Sequence, residues 1–106
     1  MSLSILLIEA DSARRRDLAL VLETTGGYRV TALPSAEKAV PLLLSAHFDL
    51  VVGQSRVLAQ MPVDLHKIGY GPRPDIPPPS CLGWVDKLAP LPAFAEQVRQ
   101  LLLKKN

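Results

Sequence analysis

The stretch from His47 to Leu58, HFDLVVGQSRVL, decides how the rest of the chain is read. Phe48 to Val52 is an almost unbroken apolar run, as expected of a parallel strand covered on both faces. Gly53 and Gln54 follow, where the chain should turn toward a helix. In open α/β sheets the carboxyl ends of the strands carry the chemistry, yet this strand ends in a neutral amide.

Upstream, the same alternation of short apolar runs and helical spacing recurs, which points to β-α-β units. Leu3 to Ile8 (LSILLI) is a first strand that stops at Glu9-Ala10-Asp11. Asp11 and Ser12 are both suitable N-caps for a helix that carries Leu18, Val21 and Leu22 inward and stops at Gly26-Gly27. Arg14, Arg15 and Arg16 fall in its first turn, where the helix dipole disfavours cations. They read more naturally as a solvated face than as an anion or partner patch. Tyr28 to Ala32 is the second strand. Ser35 then caps a second helix that turns Ala36, Ala39, Val40 and Leu43 inward. Pro41 lies inside it and removes the hydrogen bond to the carbonyl of Glu37, at roughly 3 kcal/mol if uncompensated, so this helix is expected to be bent or short.

Downstream the pattern breaks. Ser55 to His66 offers room for a short or irregular third helix, and Lys67 to Tyr70 gives a weak fourth strand. Five prolines between Pro72 and Pro79 then leave no helix, only an extended or polyproline-II-like connection. Pro74 and Pro77 have the PxxP spacing of a groove ligand, but a rigid surface connector is the plainer reading. Trp84 to Leu88 reads as a fifth strand. Pro92 begins a last helix with Phe94, Val98, Leu101 and Leu102 on one face, and Lys104 and Lys105 complement its negative end.

Composition narrows the function classes. At 106 residues with 48% hydrophobic content, residues 1–106 suit one domain with one core. Twelve Lys and Arg against ten Asp and Glu give a net charge of only +2, too small for a nucleic-acid footprint. No apolar run approaches the roughly 18 residues of a membrane span, and Met1-Ser2-Leu3 lacks a signal-peptide start. Cys81 is the single cysteine, so no internal disulfide forms and a reducing, cytoplasmic setting is expected. Neither histidine has ligand-like spacing to Cys81, and no metal or cofactor site is expected.

Taken in order, ILLIEADSARRRDLALVLETTGGYRV and SAEKAVPLLLSAHFDLVV resemble the receiver domain of two-component response regulators, and Gly83 to Lys104 resembles its last strand and helix. The resemblance implies a flavodoxin-like, five-stranded parallel α/β sheet with helices on both faces. Only 34 residues separate Gln54 from Ala89, whereas parallel crossovers take about a dozen each. The third helix should therefore be short, with the Pro-rich loop replacing the fourth.

Receivers accept a phosphoryl group on an aspartate ending strand three; here that position is Gln54, whose amide cannot form an acyl phosphate. Of the acidic pair that helps hold Mg2+ in the family, Glu9 remains and Ala10 does not. Mg2+ demands near-octahedral oxygen geometry, which a lone Glu beside a neutral Gln serves poorly, and Asp11 reads as a helix cap. No Ser or Thr lies between Val57 and Pro79 to replace the family's hydroxyl at the end of strand four. Its lysine before a proline falls at Ala89, with Lys87 two residues away on the same strand face. Gln54 would instead satisfy polar groups at the strand ends.

The implied function is that of a pseudo-receiver: no enzyme, but a phosphorylation-independent interaction module with a protein partner in a signalling pathway. Ile76, Trp84 and Lys87 are candidates for the partner surface, although Trp84 also suits a core position. The resemblance also allows homodimerisation through the last helix and its neighbouring strand. A second class is a small-molecule or redox-ligand sensor that uses the strand-end crevice. A third, phosphorylation on Ser55 or His66, would require a nucleophile without its supporting site.

Overall fold

The computed structural model describes residues 2–86 and 89–104. Its elements are β1 (Ser4–Ile8), α1 (Ser12–Thr24), β2 (Arg29–Leu33), α2 (Ala36–Ser45), β3 (Leu50–Gly53), α3 (Ser55–Leu58), β4 (Lys67–Tyr70), β5 (Cys81–Val85) and α4 (Leu91–Leu103). The five strands form one parallel sheet in the order β2-β1-β3-β4-β5. The expected flavodoxin-like architecture is therefore present, including the one-turn third helix and a Pro-rich connection in place of a fourth crossover helix. Among the described residues no helix is long and apolar enough to cross a membrane.

Strand alternation divides the core in two. Ile5, Leu7, Leu50, Val52, Ile68 and Tyr70 face α1 and α4, meeting Leu18, Leu22, Phe94 and Val98. Leu6, Ile8 and Val51 face the opposite side, against Ala36, Ala39, Leu58 and Met61. Ile5, Leu6 and Leu7 are fully buried, each worth roughly 1.5–3 kcal/mol of burial free energy. This double coverage is why β1 reads as a continuous apolar run and does not alternate.

The caps follow the sequence. Asp11 accepts from the Arg14 amide at 2.8 Å and starts α1, and Ser35 accepts from the Lys38 amide at 3.3 Å to start α2. After α1, Gly27 takes φ +72°, a conformation that suits glycine, while its amide bonds the Glu23 carbonyl. Three expectations need correction. First, Val40 of α2, expected to turn inward, is 51% exposed; the helix itself runs through Pro41 for ten residues, against thirteen in α1 and α4, and Pro41 and Glu37 are both exposed, so water can satisfy the carbonyl that the proline leaves without a donor. Second, β3 begins at Leu50 and includes Gly53. Third, β5 starts three residues before Trp84 and ends at Val85, because Lys67 pairs with Cys81 and the register then shifts so that Ile68 meets Gly83. Lys87 and Leu88 of the expected fifth strand, and Lys105, lie outside the described residues.

Two side chains hold the connections on either side of β4, where helical cover is reduced to the single turn of α3. Trp84 lies over Gly69 on the neighbouring strand, with its indole Nε1 donating to the Gly71 carbonyl at 2.9 Å. A Cβ on Gly69 would collide with the ring, so glycine is what lets the indole cover this part of the sheet. Lys67, 1% exposed, donates from Nζ to the carbonyls of Pro62 (2.7 Å), Leu65 (2.8 Å), Pro79 (2.8 Å) and Val63 (3.4 Å). One ammonium thus ties the β3-β4 connection to the Pro-rich one. Burial holds it below the usual lysine pKa, with Cys81 and Asp64 opposing.

Candidate functional site

The carboxyl ends of β1 and β3 open into a cavity of about 400 Å3 whose lining includes Glu9, Ala10, Gln54, Ser55, Arg56 and Tyr70. Three of the four positions singled out from sequence, Glu9, Ala10 and Gln54, are therefore brought together here. The fourth, Ala89, is not among them. It lines a neighbouring cavity of about 410 Å3, with Asp11, Arg14 and Phe94. Tyr70 lines both cavities, so its ring stands between Ala89 and the other three.

Glu9 is the centre of the first cavity. It is 7% exposed, and a buried carboxylate needs hydrogen-bond partners. Oε1 accepts from the Tyr70 hydroxyl at 2.5 Å, and Oε2 accepts from the Asp11 amide at 2.9 Å. Arg15 donates to the Glu9 carbonyl at 2.9 Å and to that of Ala10 at 3.4 Å. This gives one arginine of the basic triplet a local role, in satisfying carbonyls just beyond the end of β1.

Tyr70 supplies a hydroxyl that is neither Ser nor Thr. It is the last residue of β4, where the family resemblance calls for a small hydroxyl, and it brings a hydroxyl on an aromatic ring. The ring is buried, packed edge-on against Phe94 with centroids 5.9 Å apart and planes at 81°, a favoured aromatic geometry. Burial first, then the Glu9 hydrogen bond and that carboxylate's charge, push the phenol well above its ordinary pKa, and the charge of Arg14 opposes them. At neutral pH it is a donor. The signal in the sequence was a tyrosine ending a strand otherwise built of Lys67, Ile68 and Gly69, a polar tip placed at the sheet's chemical edge.

Gln54 departs from its expected role. It occupies the N-cap position of α3 without a side-chain capping bond, while its backbone carbonyl accepts from the amides of Val57 and Leu58. Its exposed side chain leans toward Gly71. The divalent cation that the fold would imply does not fit these residues. Ala10 offers no ligand, Asp11 Oδ1 is committed to capping α1, and both Glu9 oxygens already accept from the protein. Among the described residues no group of three or more His, Cys, Asp or Glu side chains is placed to hold a metal.

The candidate partner positions are dispersed. Ile76 is 86% exposed on the Pro-rich connection. Trp84 is half-buried against the α2-side core, and Lys87 is outside the described residues.

Neither the protein-family models nor the curated proteins contain a match to this chain. Solved structures do match. The signal receiver domain of an HD domain-containing protein from Pseudomonas fluorescens Pf-5 superposes with a TM-score of 0.78 at 19% identity, over 99% of this chain and 98% of the other. A CheY-like response regulator receiver domain from Methanospirillum hungatei JF-1 gives 0.76 at 14% identity, over 99% and 97%. The signal receiver domain of a signal transduction histidine kinase from Syntrophus aciditrophicus gives 0.72 at 21%, over 97% and 92%. The fold is that of a response regulator receiver domain. Against that receiver frame, Gln54, Ala10, Tyr70 and Ala89 stand at the carboxyl ends of the strands or on the segments that follow them.

Proposed function

We propose that this chain is a pseudo-receiver, a protein-interaction module of two-component-type signalling that works without phosphoryl transfer. The observation that carries the reading is the Tyr70-Glu9 hydrogen bond. It fills the remaining acidic position of the strand-end cavity from within the protein, next to a Gln54 amide that cannot act as the nucleophile. Such a pocket leaves its buried carboxylate partnered from within the protein, which makes it stable as it stands. Ile76, exposed on a Pro-rich surface, is the best placed of the sequence-derived partner positions, whereas Trp84 is occupied in covering Gly69.

Incubation with acetyl phosphate and Mg2+ is expected to leave the intact mass unchanged, for the chain as it stands and for Gln54→Asp. A stable phosphoryl adduct on the unaltered chain would overturn the reading. The competing reading, a small-molecule or redox-ligand sensor, rests on the cavity of about 400 Å3, within the range of ligand pockets. A thermal-shift screen of nucleotides and flavins separates the two: no stabilisation is expected, and a saturable rise that Arg56→Glu abolishes would favour the sensor.

A further inference from the structure

The amino end of β4 carries a charge that the strand-end site does not use. Lys67 opens the strand whose other end is Tyr70, and it is 1% exposed. A buried ammonium is ordinarily paired with a carboxylate. Among the described residues no carboxylate pairs with this one; the ion pairs are His47 with Asp49 and Arg99 with Glu96, and the exposed Asp64 bears on Lys67 only through its field. The acceptors are four backbone carbonyls, those of Pro62 at 2.7 Å, Leu65 and Pro79 at 2.8 Å, and Val63 at 3.4 Å. They come from both connections that flank β4.

The sequence accounts for this crowd of acceptors. Pro62 and the run Pro77, Pro78 and Pro79 bring carbonyls without N–H groups, so backbone donors are scarce where the two connections meet. The Leu65 amide reaches the Pro62 carbonyl at 3.2 Å, and the Ser80 hydroxyl reaches that of Val63 at 2.8 Å. Among the described residues Lys67 is the one donor to the Leu65 and Pro79 carbonyls. Carbonyl oxygens converging on one point are what ion-selective filters use to replace the hydration shell of K+. Divalent ions, by contrast, are held with the help of carboxylates, and this cage has none.

We infer that the carbonyls of Pro62, Val63, Leu65 and Pro79 form a monovalent-cation site, of which the Lys67 ammonium is the tethered occupant. What the two connections require at this point is a single positive charge of ammonium or potassium size, and the lysine stem supplies it whatever the salt around the protein. The consequence reaches the surface: Ile76, 86% exposed, stands on the connection whose far end the cation grips at Pro79. The inference stands apart from the interaction-module reading, since it needs neither a partner nor the state of the strand-end pocket.

The test is chemical rescue. Lys67→Ala leaves a space shaped like n-propylammonium, and Lys67→Met fills that space without a charge. Thermal unfolding of both variants and of the unaltered chain is followed by circular dichroism in KCl and in n-propylammonium chloride. Tetramethylammonium chloride at equal ionic strength controls for salt, and 1-propanol controls for shape. Lys67→Ala is expected to show a saturable rise in Tm of about 5 °C or more at roughly tenfold excess of K+ or n-propylammonium over its Kd. Amide protection should return with it at Leu65, whose N–H bonds the Pro62 carbonyl. The unaltered chain and Lys67→Met should not rise above the tetramethylammonium baseline. A response to neither cation, an equal response to 1-propanol, or an equal response in Lys67→Met overturns the site. If Lys67→Ala does not fold in any of these media, Lys67→Arg measured against Lys67→Met decides. A higher Tm in Lys67→Arg supports the requirement for charge, and a Tm in Lys67→Met that equals or exceeds it overturns that requirement.

Discussion

Glu9 and Tyr70 settle between them what the strand-end pocket can do. Replacing Tyr70 by Phe keeps the ring against Phe94 but leaves Glu9 Oε1 without its donor, and an unsatisfied buried acceptor costs about 1–3 kcal/mol. Tyr70→Phe should lower the unfolding free energy by that amount, read as a fall in the urea midpoint at an unchanged m-value. The pH dependence has a definite sign. The folded-state pKa of Tyr70 is raised, so its contribution is fully present below the ordinary phenol value of about 10 and is lost as pH rises beyond it, where the unfolded chain ionises first. The stability gap between the unaltered chain and Tyr70→Phe should therefore be wide at about pH 8 and narrower at about pH 11; a gap that widens with pH contradicts the assignment. Through the resemblance to receivers, the sequence singled out Ala10, Gln54 and Ala89 as the proposed altered positions, because neighbouring motifs anchor them. It did not disclose Tyr70, because the hydroxyl arrives from a residue type too large for the role it displaces, and only the fold shows that its tip reaches Glu9.

The connections on either side of β4 depend on two interior substitutes for helices, and each can be removed singly. In Lys67→Met the carbonyls of Pro62, Leu65 and Pro79 lose the shared donor in a buried setting, for an expected loss of roughly 2–4 kcal/mol in chemical denaturation. Amide exchange should then accelerate at Leu65 and Lys67, whose amides bond the Pro62 and Ser80 carbonyls, before it does in β1; uniform acceleration would mean that the ammonium is not a local tie. In Gly69→Ala the added methyl displaces the Trp84 indole, costing about 1–3 kcal/mol and breaking the Nε1 bond to Gly71, so near-UV dichroism and tryptophan emission should change together. The limits of the sequence reading lie in the same region. Lys67 to Tyr70 was legible as a strand from its apolar and aromatic residues, but not the cage that begins it. That cage reaches the Pro79 carbonyl, which helps bring β5 into pairing at Cys81, immediately after the prolines. The apolar pattern around Trp84 alone placed the strand too late.

The receiver fold survives here with both of its later crossovers reduced, because the α1 and α4 side of the sheet supplies an undiminished core while the opposite side is closed by smaller parts. Alternation, caps and strand lengths carry that architecture in the sequence; which surfaces are left uncovered does not appear there, because it is set by how the connections fold. The same frame makes the altered pocket reversible in principle. Tyr70 separates the Ala89 cavity from the one that holds Glu9 and Gln54, so restoring Gln54→Asp alone places a carboxylate beside a blocked site. Combining Gln54→Asp with Ala10→Asp, Tyr70→Thr and Ala89→Lys supplies the missing carboxylates, opens the wall between the cavities and adds the cation on the far side. The single substitution should show no Mg2+-dependent change in Tm. The fourfold variant should gain about 2.7 kcal/mol at a hundredfold excess of Mg2+ over its Kd, a rise of roughly 10 °C or more for a domain of this size. If the single substitution already responds to Mg2+, the Tyr70 ring is no barrier; if the fourfold variant folds and stays silent, the strand ends no longer hold these positions in register.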